Sequence, residues 1–311
     1  MSRGSRARGG GRAVAAIACA ALGLCGAARP AAAYVRYRTA TTNEPFAWPQ
    51  SCVPITAYPL SMADVNGNMD LTHEQIMKAV WASASAWSTE ENPCSFLALS
   101  VAPSAAETPI ARYDYKNSLV FRTTSWCAPS DSPGTCSYDA AALAITSVFA
   151  NKSNGQIRDA DIEVNSRFFI WADLDTDTAA VGKQDLQNAL THEMGHLIGL
   201  DHTCYISGEP PIDEDGLAIP SCDAASPAVR ATTMFASAEP GDLEKRTLAP
   251  DDKRAICEMY PIARDPQSCG DRDGCSVAPV SRSGEGAPVF FAALAALGAL
   301  VAATRRRTRG R

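Results

Sequence analysis

Between residues 72 and 101 the apolar positions of the chain change period. Behind Thr72, the run HEQIMKAVWASASAWS places Ile76, Val80, Ala84 and Trp87 at spacings of four, four and three. That is the buried stripe of an amphipathic helix, with Thr72 as its cap. Short apolar runs flank it: PITAYPL around 55–60 and CSFLALSV near 96–101. Each is too short for a helix and suits a strand. SLVF and ALAITSVF predict a third and a fourth strand. DADIEVN predicts a fifth, with Ile162 and Val164 on one face and Asp161, Glu163 and Asn165 on the other. A second helix is expected over about 184–198, where Leu190, Met194, Leu197 and Ile198 keep the helical period. A last helix is expected over 250–260, opened by Pro250 and by Asp251 and Asp252, whose charges suit a helix N-terminus. The order is that of an α+β domain.

The two ends read differently. Residues 1–33 run from basic MSRGSRARGGGR through apolar AVAAIACAALGLCGAA to RPAAAY. This is a signal-peptide pattern with a cut expected after Ala33. Residues 34–262 form the domain and 263–286 a linker. Residues 287–304 are largely apolar and 305–311 are a basic tail that opens with Arg305, Arg306 and Arg307. The apolar run is near the length needed to span a bilayer, with its arginines on the cytoplasmic side. Gly274 and Cys275 lie upstream of it. The order Gly-Cys, apolar segment, arginine cluster resembles a bacterial C-terminal sorting signal of the myxosortase-recognised type. That resemblance implies a sorting protease as partner, a cut near Cys275 and display at the cell surface. The other reading is a permanent membrane anchor. Either way the domain is expected outside the cytoplasm.

Cysteine usage fits that compartment. Of 11 cysteines, eight remain once Cys19, Cys25 and the sorting Cys275 are set aside: Cys52, Cys94, Cys127, Cys136, Cys204, Cys222, Cys257 and Cys269. An exported chain is expected to oxidise them. Cys127–Cys136 and Cys204–Cys222 are the natural local pairs. Cys52–Cys94 and Cys257–Cys269 are what is left, although spacing alone does not decide connectivity. Residues 34–274 carry 17 Lys and Arg against 33 Asp and Glu, a net charge of −16. This argues against nucleic acid and anionic lipid as partners of the domain.

Chemistry concentrates in one stretch. The chain has four histidines, and three lie in HEMGHLIGLDH, 192–202. His192 and His196 are one helical turn apart on the same face and can bind one transition metal together. His202, six residues further on, joins them only if the helix stops and the chain turns back. Gly199 is where a left-handed residue can end it. Glu193 stands beside the metal position, placed to act as a base on metal-bound water. Three neutral nitrogens, an open fourth position and a nearby carboxylate are the layout of a catalytic zinc site with one ion, rather than a closed structural site.

HExxHxxGxxH is the metzincin signature, and this chain resembles that family at every fixed position. Met234, in ATTMFAS, stands 32 residues after His202 and matches the family's methionine turn. The closest subgroup is the matrixins, although Phe235 and Ala236 stand where that subgroup usually has a proline shortly after the methionine. The resemblance covers about residues 46–261. It implies a twisted five-stranded mixed sheet and two long helices above a small subdomain with the methionine turn and a final helix. It also implies a protein or peptide substrate bound extended along the ALAITSVF edge strand, and zinc-dependent endopeptidase activity with Glu193 as base and then acid. The rival readings are a surface-displayed binding or adhesive module on a protease-like scaffold, and a zinc amidase acting on cell-wall peptides.

Four further features complete the reading. His73, in the first turn of the first helix, reads as a surface residue. ADVNGNMDLTHE (63–74) and DLDTDT, with Asp173, Asp175 and Asp177, make Ca2+ a secondary candidate, with a turn and a solvated loop favoured. The acidic segment 203–222 is expected to wall the cleft and favour basic or polar side chains in the substrate. No cysteine-switch motif precedes the domain.

Overall fold

The computed structural model describes residues 34–59, 71–106, 110–132, 134–177 and 181–268. Residues 1–33, where a leader is expected, most of the 63–74 loop, and residues 269–311 with Cys269 and Cys275 lie outside the described residues.

The central sheet has five strands in the order β3-β2-β4-β6-β5. They are β2 (Cys52–Tyr58), β3 (Ala98–Pro103), β4 (Asn117–Arg122), β5 (Ala144–Ala150) and β6 (Ile157–Asn165). Pairings β2–β3, β2–β4 and β4–β6 are parallel, and β5 runs antiparallel to β6 at the edge. The fold is therefore α+β with a mixed sheet. Short strands that the apolar pattern could not announce flank it. β1 (Val35–Arg36) pairs with β9 (Leu200–Asp201), and β7 (Trp171–Ala172) pairs with β8 (Gln184–Asp185).

Parallel neighbours cannot be joined by a tight turn. Helix α1 (His73–Ala86) supplies the crossover from β2 to β3. Thr72 and Gln75 form a reciprocal capping box at its start, and His73 is exposed. Ile76, Val80, Ala84 and Trp87 are all buried, as their spacing predicts. Helix α2 (Leu186–Leu197) packs on α1 and starts two residues later than expected, because Gln184 and Asp185 belong to β8. Trp87 Nε1 donates to the Thr191 carbonyl at 2.7 Å, and Thr191 Oγ1 to Ser83 Oγ at 3.1 Å, so the buried helix contact has its polar groups satisfied. After a four-residue helix α3 (Pro227–Arg230), the chain closes with α4 (Pro250–Met259).

Strand β6 is buried on both faces. Its polar face is not turned to water but holds down the loop that crosses the sheet. Asp161 accepts the N–H groups of Arg112 at 2.8 Å and Ser118 at 2.9 Å. Asp159 accepts those of Asp114 and Tyr115. Glu163 pairs with Arg122 at 2.6 Å and accepts the Tyr138 hydroxyl at 2.7 Å.

The local disulfides Cys127–Cys136 and Cys204–Cys222 are present. The remaining assignment is corrected: Cys94 pairs with Cys257, so neither Cys52–Cys94 nor Cys257–Cys269 forms. Sequence proximity misleads because the sheet brings the segment before β3 against α4, where Phe96 N–H donates to the Tyr260 carbonyl at 2.8 Å. Cys52 is disulfide-bonded as well.

The DLDTDT carboxylates are ion-paired rather than simply solvated. Arg246 reaches Asp173 and Asp175 at 2.6 Å each and Asp185 at 2.5 Å, while Lys183 pairs with Asp177 at 2.8 Å. The acidic segment 203–222 likewise spends its charge away from the cleft: Glu214 pairs with Arg38 at 2.6 Å and Asp215 with Arg254 at 3.3 Å. Only Ile206 of that segment lines the cleft.

Candidate metal centre

Asp185 caps α2, accepting the Asn188 N–H at 2.7 Å. Leu186, Leu190, Met194 and Leu197 fix the helix by burial. With that stripe inward, His192 and His196 project together into the cleft, ring centroids 4.8 Å apart. The helix ends at Leu197, and Gly199 turns the chain at φ +106°. A Cβ there would lie 2.8 Å from the Phe46 carbonyl oxygen, so both the dihedral and the close approach require glycine. Beyond it β9 pairs with β1, and His202 returns to the other two rings.

The three imidazoles meet through Nε2. His202 Nε2 lies 3.2 Å from that of His192 and 3.1 Å from that of His196. On the far side, His192 Nδ1 lies 2.7 Å from the Thr233 carbonyl oxygen and His196 Nδ1 2.8 Å from that of Leu200. A carbonyl only accepts, so both Nδ1 atoms carry the hydrogen and both Nε2 lone pairs point inward. Lone pairs facing one another call for a cation between them. A tetrahedral ion at about 2.0–2.1 Å from each nitrogen would separate its ligands by about 3.3–3.4 Å, close to the spacing found. Burial, reinforced by Lys245 and the neighbouring rings, holds His192 and His202 well below the usual imidazole range and keeps them neutral, the form a metal binds. Among the described residues this is the one His, Cys, Asp and Glu cluster with metal-ligating geometry. The donor set fits zinc.

Glu193 is buried beside the ligands, and burial raises its carboxyl above the ordinary range. Thr146 Oγ1, from edge strand β5, donates to Glu193 Oε2 at 2.6 Å and opposes that rise. Met234 is fully buried beneath the site. A Cβ on Gly195 would come 2.2 Å from the Met234 sulfur, so α2 and the methionine segment touch where any larger residue must displace that side chain. The Met234 carbonyl accepts the Thr203 N–H at 3.1 Å, tying that segment to the residue after the third histidine.

The cleft over these groups has a volume of about 580 Å³. The β5 edge forms one wall and residues 236–239 the other. Lys245 braces the second wall, donating Nζ to the carbonyls of Phe235 and Ser237; burial pushes its amine down to about 8. Tyr37 also lines the cleft, its hydroxyl 3.1 Å from His196 Nδ1.

The structure thus brings together every residue that the motif nominated: His192, Glu193, His196, Gly199, His202 and Met234. Sequence reasoning gave no role at the site to Tyr37, Thr146, Gly195 or Lys245, and read Asp252, which accepts the Thr233 N–H at 2.8 Å, only as a helix-start residue. Apart from Gly195, each lies 40 or more positions from the 192–202 motif. Gly195 could have been found, as a glycine in the middle of a buried helix usually marks close packing. Comparison of the chain with protein-family models and with curated proteins finds no match.

Proposed function

We propose that this chain is an exported zinc-dependent endopeptidase of the metzincin type, matrixin-like, acting on protein substrates bound extended in the cleft. The observation that carries the reading is the convergence of three Nε2 atoms next to a buried carboxylate, in a cleft walled by a free sheet edge. Zinc held by His192, His196 and His202 would polarise the scissile carbonyl and acidify the attacking water. Glu193 takes the proton of that water, helped by the raised affinity that burial confers, and returns it to the leaving amine. Thr146 holds the carboxylate in place. β5 offers its unpaired edge to a backbone, which favours an extended peptide over a small molecule. Disulfides Cys94–Cys257, Cys127–Cys136 and Cys204–Cys222 support an oxidising compartment. Among the described residues no helix is long and apolar enough to cross a membrane, and the apolar C-terminal run lies outside them.

The test compares the mature protein with Glu193→Ala for casein digestion, with and without a chelator, alongside zinc content by elemental analysis. The expected result is one zinc in both proteins and cleavage only by the metal-loaded wild type. Cleavage by Glu193→Ala, or chelator-insensitive cleavage, overturns the mechanism. An intact zinc site with no hydrolysis of any protein favours the binding-module reading.

A further inference from the structure

A second cavity, of about 780 Å³, lies beside the cleft. The two follow the same pair of chain segments. Tyr37 and residues 144–146 line the cleft, while Arg38 and residues 148–150 line the second cavity. It therefore prolongs the cleft along the same free edge of β5. At about 3.3 Å per residue, Phe149 lies about 10 Å along the strand from Thr146. A peptide paired with β5, with its scissile bond at Glu193, passes the cavity with its third or fourth residue from that bond.

The lining has its own chemistry. Residues 34–274 carry a net charge of −16, yet three cations, Arg38, Lys152 and Arg158, line this cavity and no carboxylate does. Arg38 is paired with Glu214. Lys152 and Arg158 are exposed and form no salt bridge among the described residues. Phe149 and Tyr113 form the apolar part, ring centroids 5.5 Å apart, and Tyr113 is backed by Tyr115 at 4.7 Å. Two cations without counter-ions suit a carboxylate, and the aromatic rings beside them suit the apolar stem of the side chain that carries it.

We infer that this cavity is a substrate subsite, which recognises an Asp or Glu side chain three or four residues from the scissile bond through Lys152 and Arg158. The inference rests on the endopeptidase reading and names a substrate preference for it.

The test takes a neutral peptide that the protein cleaves. Glu, and separately Lys, is placed at each position up to five residues on either side of the bond. With the wild type, Glu at the third or fourth position on one side should raise kcat/KM about fivefold, chiefly through KM, and Lys there should lower it. The gain should shrink as salt is raised. In Lys152→Gln/Arg158→Gln the Glu-to-neutral ratio should fall to one. In Lys152→Glu/Arg158→Glu it should invert, which loss of folded protein alone cannot do. A ratio of one in the wild type, or a ratio unchanged in the variants, overturns the subsite and leaves the endopeptidase reading intact. If no peptide is cleaved, that reading fails first. The cavity is then judged by fluorescence anisotropy with the Glu-bearing and neutral peptides, where equal affinity for both overturns it too.

Discussion

Asp252 accepts the backbone N–H of Thr233 at 2.8 Å, and the carbonyl of the same Thr233 lies 2.7 Å from His192 Nδ1. The last helix therefore orients the first histidine through the backbone of one residue. Asp252 also accepts the Ala249 N–H at 3.1 Å, so a single carboxylate caps α4 and fixes the methionine segment. Asp252→Ala leaves the Thr233 carbonyl in place but unsupported, and is expected to weaken zinc binding by up to about tenfold, the low end of the range for loss of the imidazole's own partner. Competition with a chelator at several concentrations measures it. Unchanged zinc affinity in a folded variant would show that the Thr233 carbonyl needs no such support.

Thr146→Val keeps the shape of the side chain and removes the donor to Glu193. Zinc content should stay at one, while kcat/KM falls by about tenfold or more, as for loss of a hydrogen bond to a charged group. The hydrogen bond holds the Glu193 pKa down against burial. Without it the carboxyl takes up a proton at higher pH, so the acidic limb of the kcat/KM profile should move upward. A limb that stays in place would mean that another group titrates there.

Gly195→Ala sets two effects against each other. In an exposed helix the change stabilises by about 1 kcal/mol. Here the new methyl would meet the Met234 sulfur at 2.2 Å and Trp87 at 3.0 Å, both residues being fully buried. Overpacking of this kind costs about 1–3 kcal/mol, so a net fall in Tm is expected, with weaker zinc retention as Met234 is displaced. A rise in Tm would show that the methionine segment yields freely.

Asp161 gives a pH prediction distant from the metal. Burial, against two N–H donors, raises its carboxyl to about 7. The folded state then holds the proton more tightly than the unfolded chain. The contribution of this group to stability is full below the unfolded value, near 4, and is lost as pH rises through 7. Asp161→Asn cannot ionise. Its Tm should decline less than that of the wild type between pH 4 and 7, even though the amide leaves one N–H donor without an acceptor. Parallel Tm profiles would assign the titration elsewhere.

What the sequence disclosed follows from the range of each interaction. The α1 stripe, its Thr72 cap, the strand order and the 192–202 motif are written in neighbouring residues, and each falls where expected. The sheet partners of those strands are not local. Asp161 and Glu163 look like the wet face of a strand until the loop they hold down is seen to cross it. Cys94 and Cys257 are 163 residues apart and meet only because the fold brings the segment before β3 against α4. Thr146 reaches Glu193 across 47 residues, with no pattern to announce the contact. The motif names the candidate ligands, but the groups that aim them come from elsewhere in the chain.

The pairing of β1 with β9 carries a consequence for maturation. Only one residue separates the expected cut after Ala33 from a two-residue strand that stitches the segment leading into His202. Tyr34 is itself buried, and its hydroxyl holds Glu258 of the closing helix at 2.7 Å. Clipping the amino terminus a few positions too far along would unpick that seam and loosen the third imidazole. If a leader is removed after Ala33, as the sequence leads one to expect, the precision of that cut would be legible in how firmly the remaining chain holds a metal.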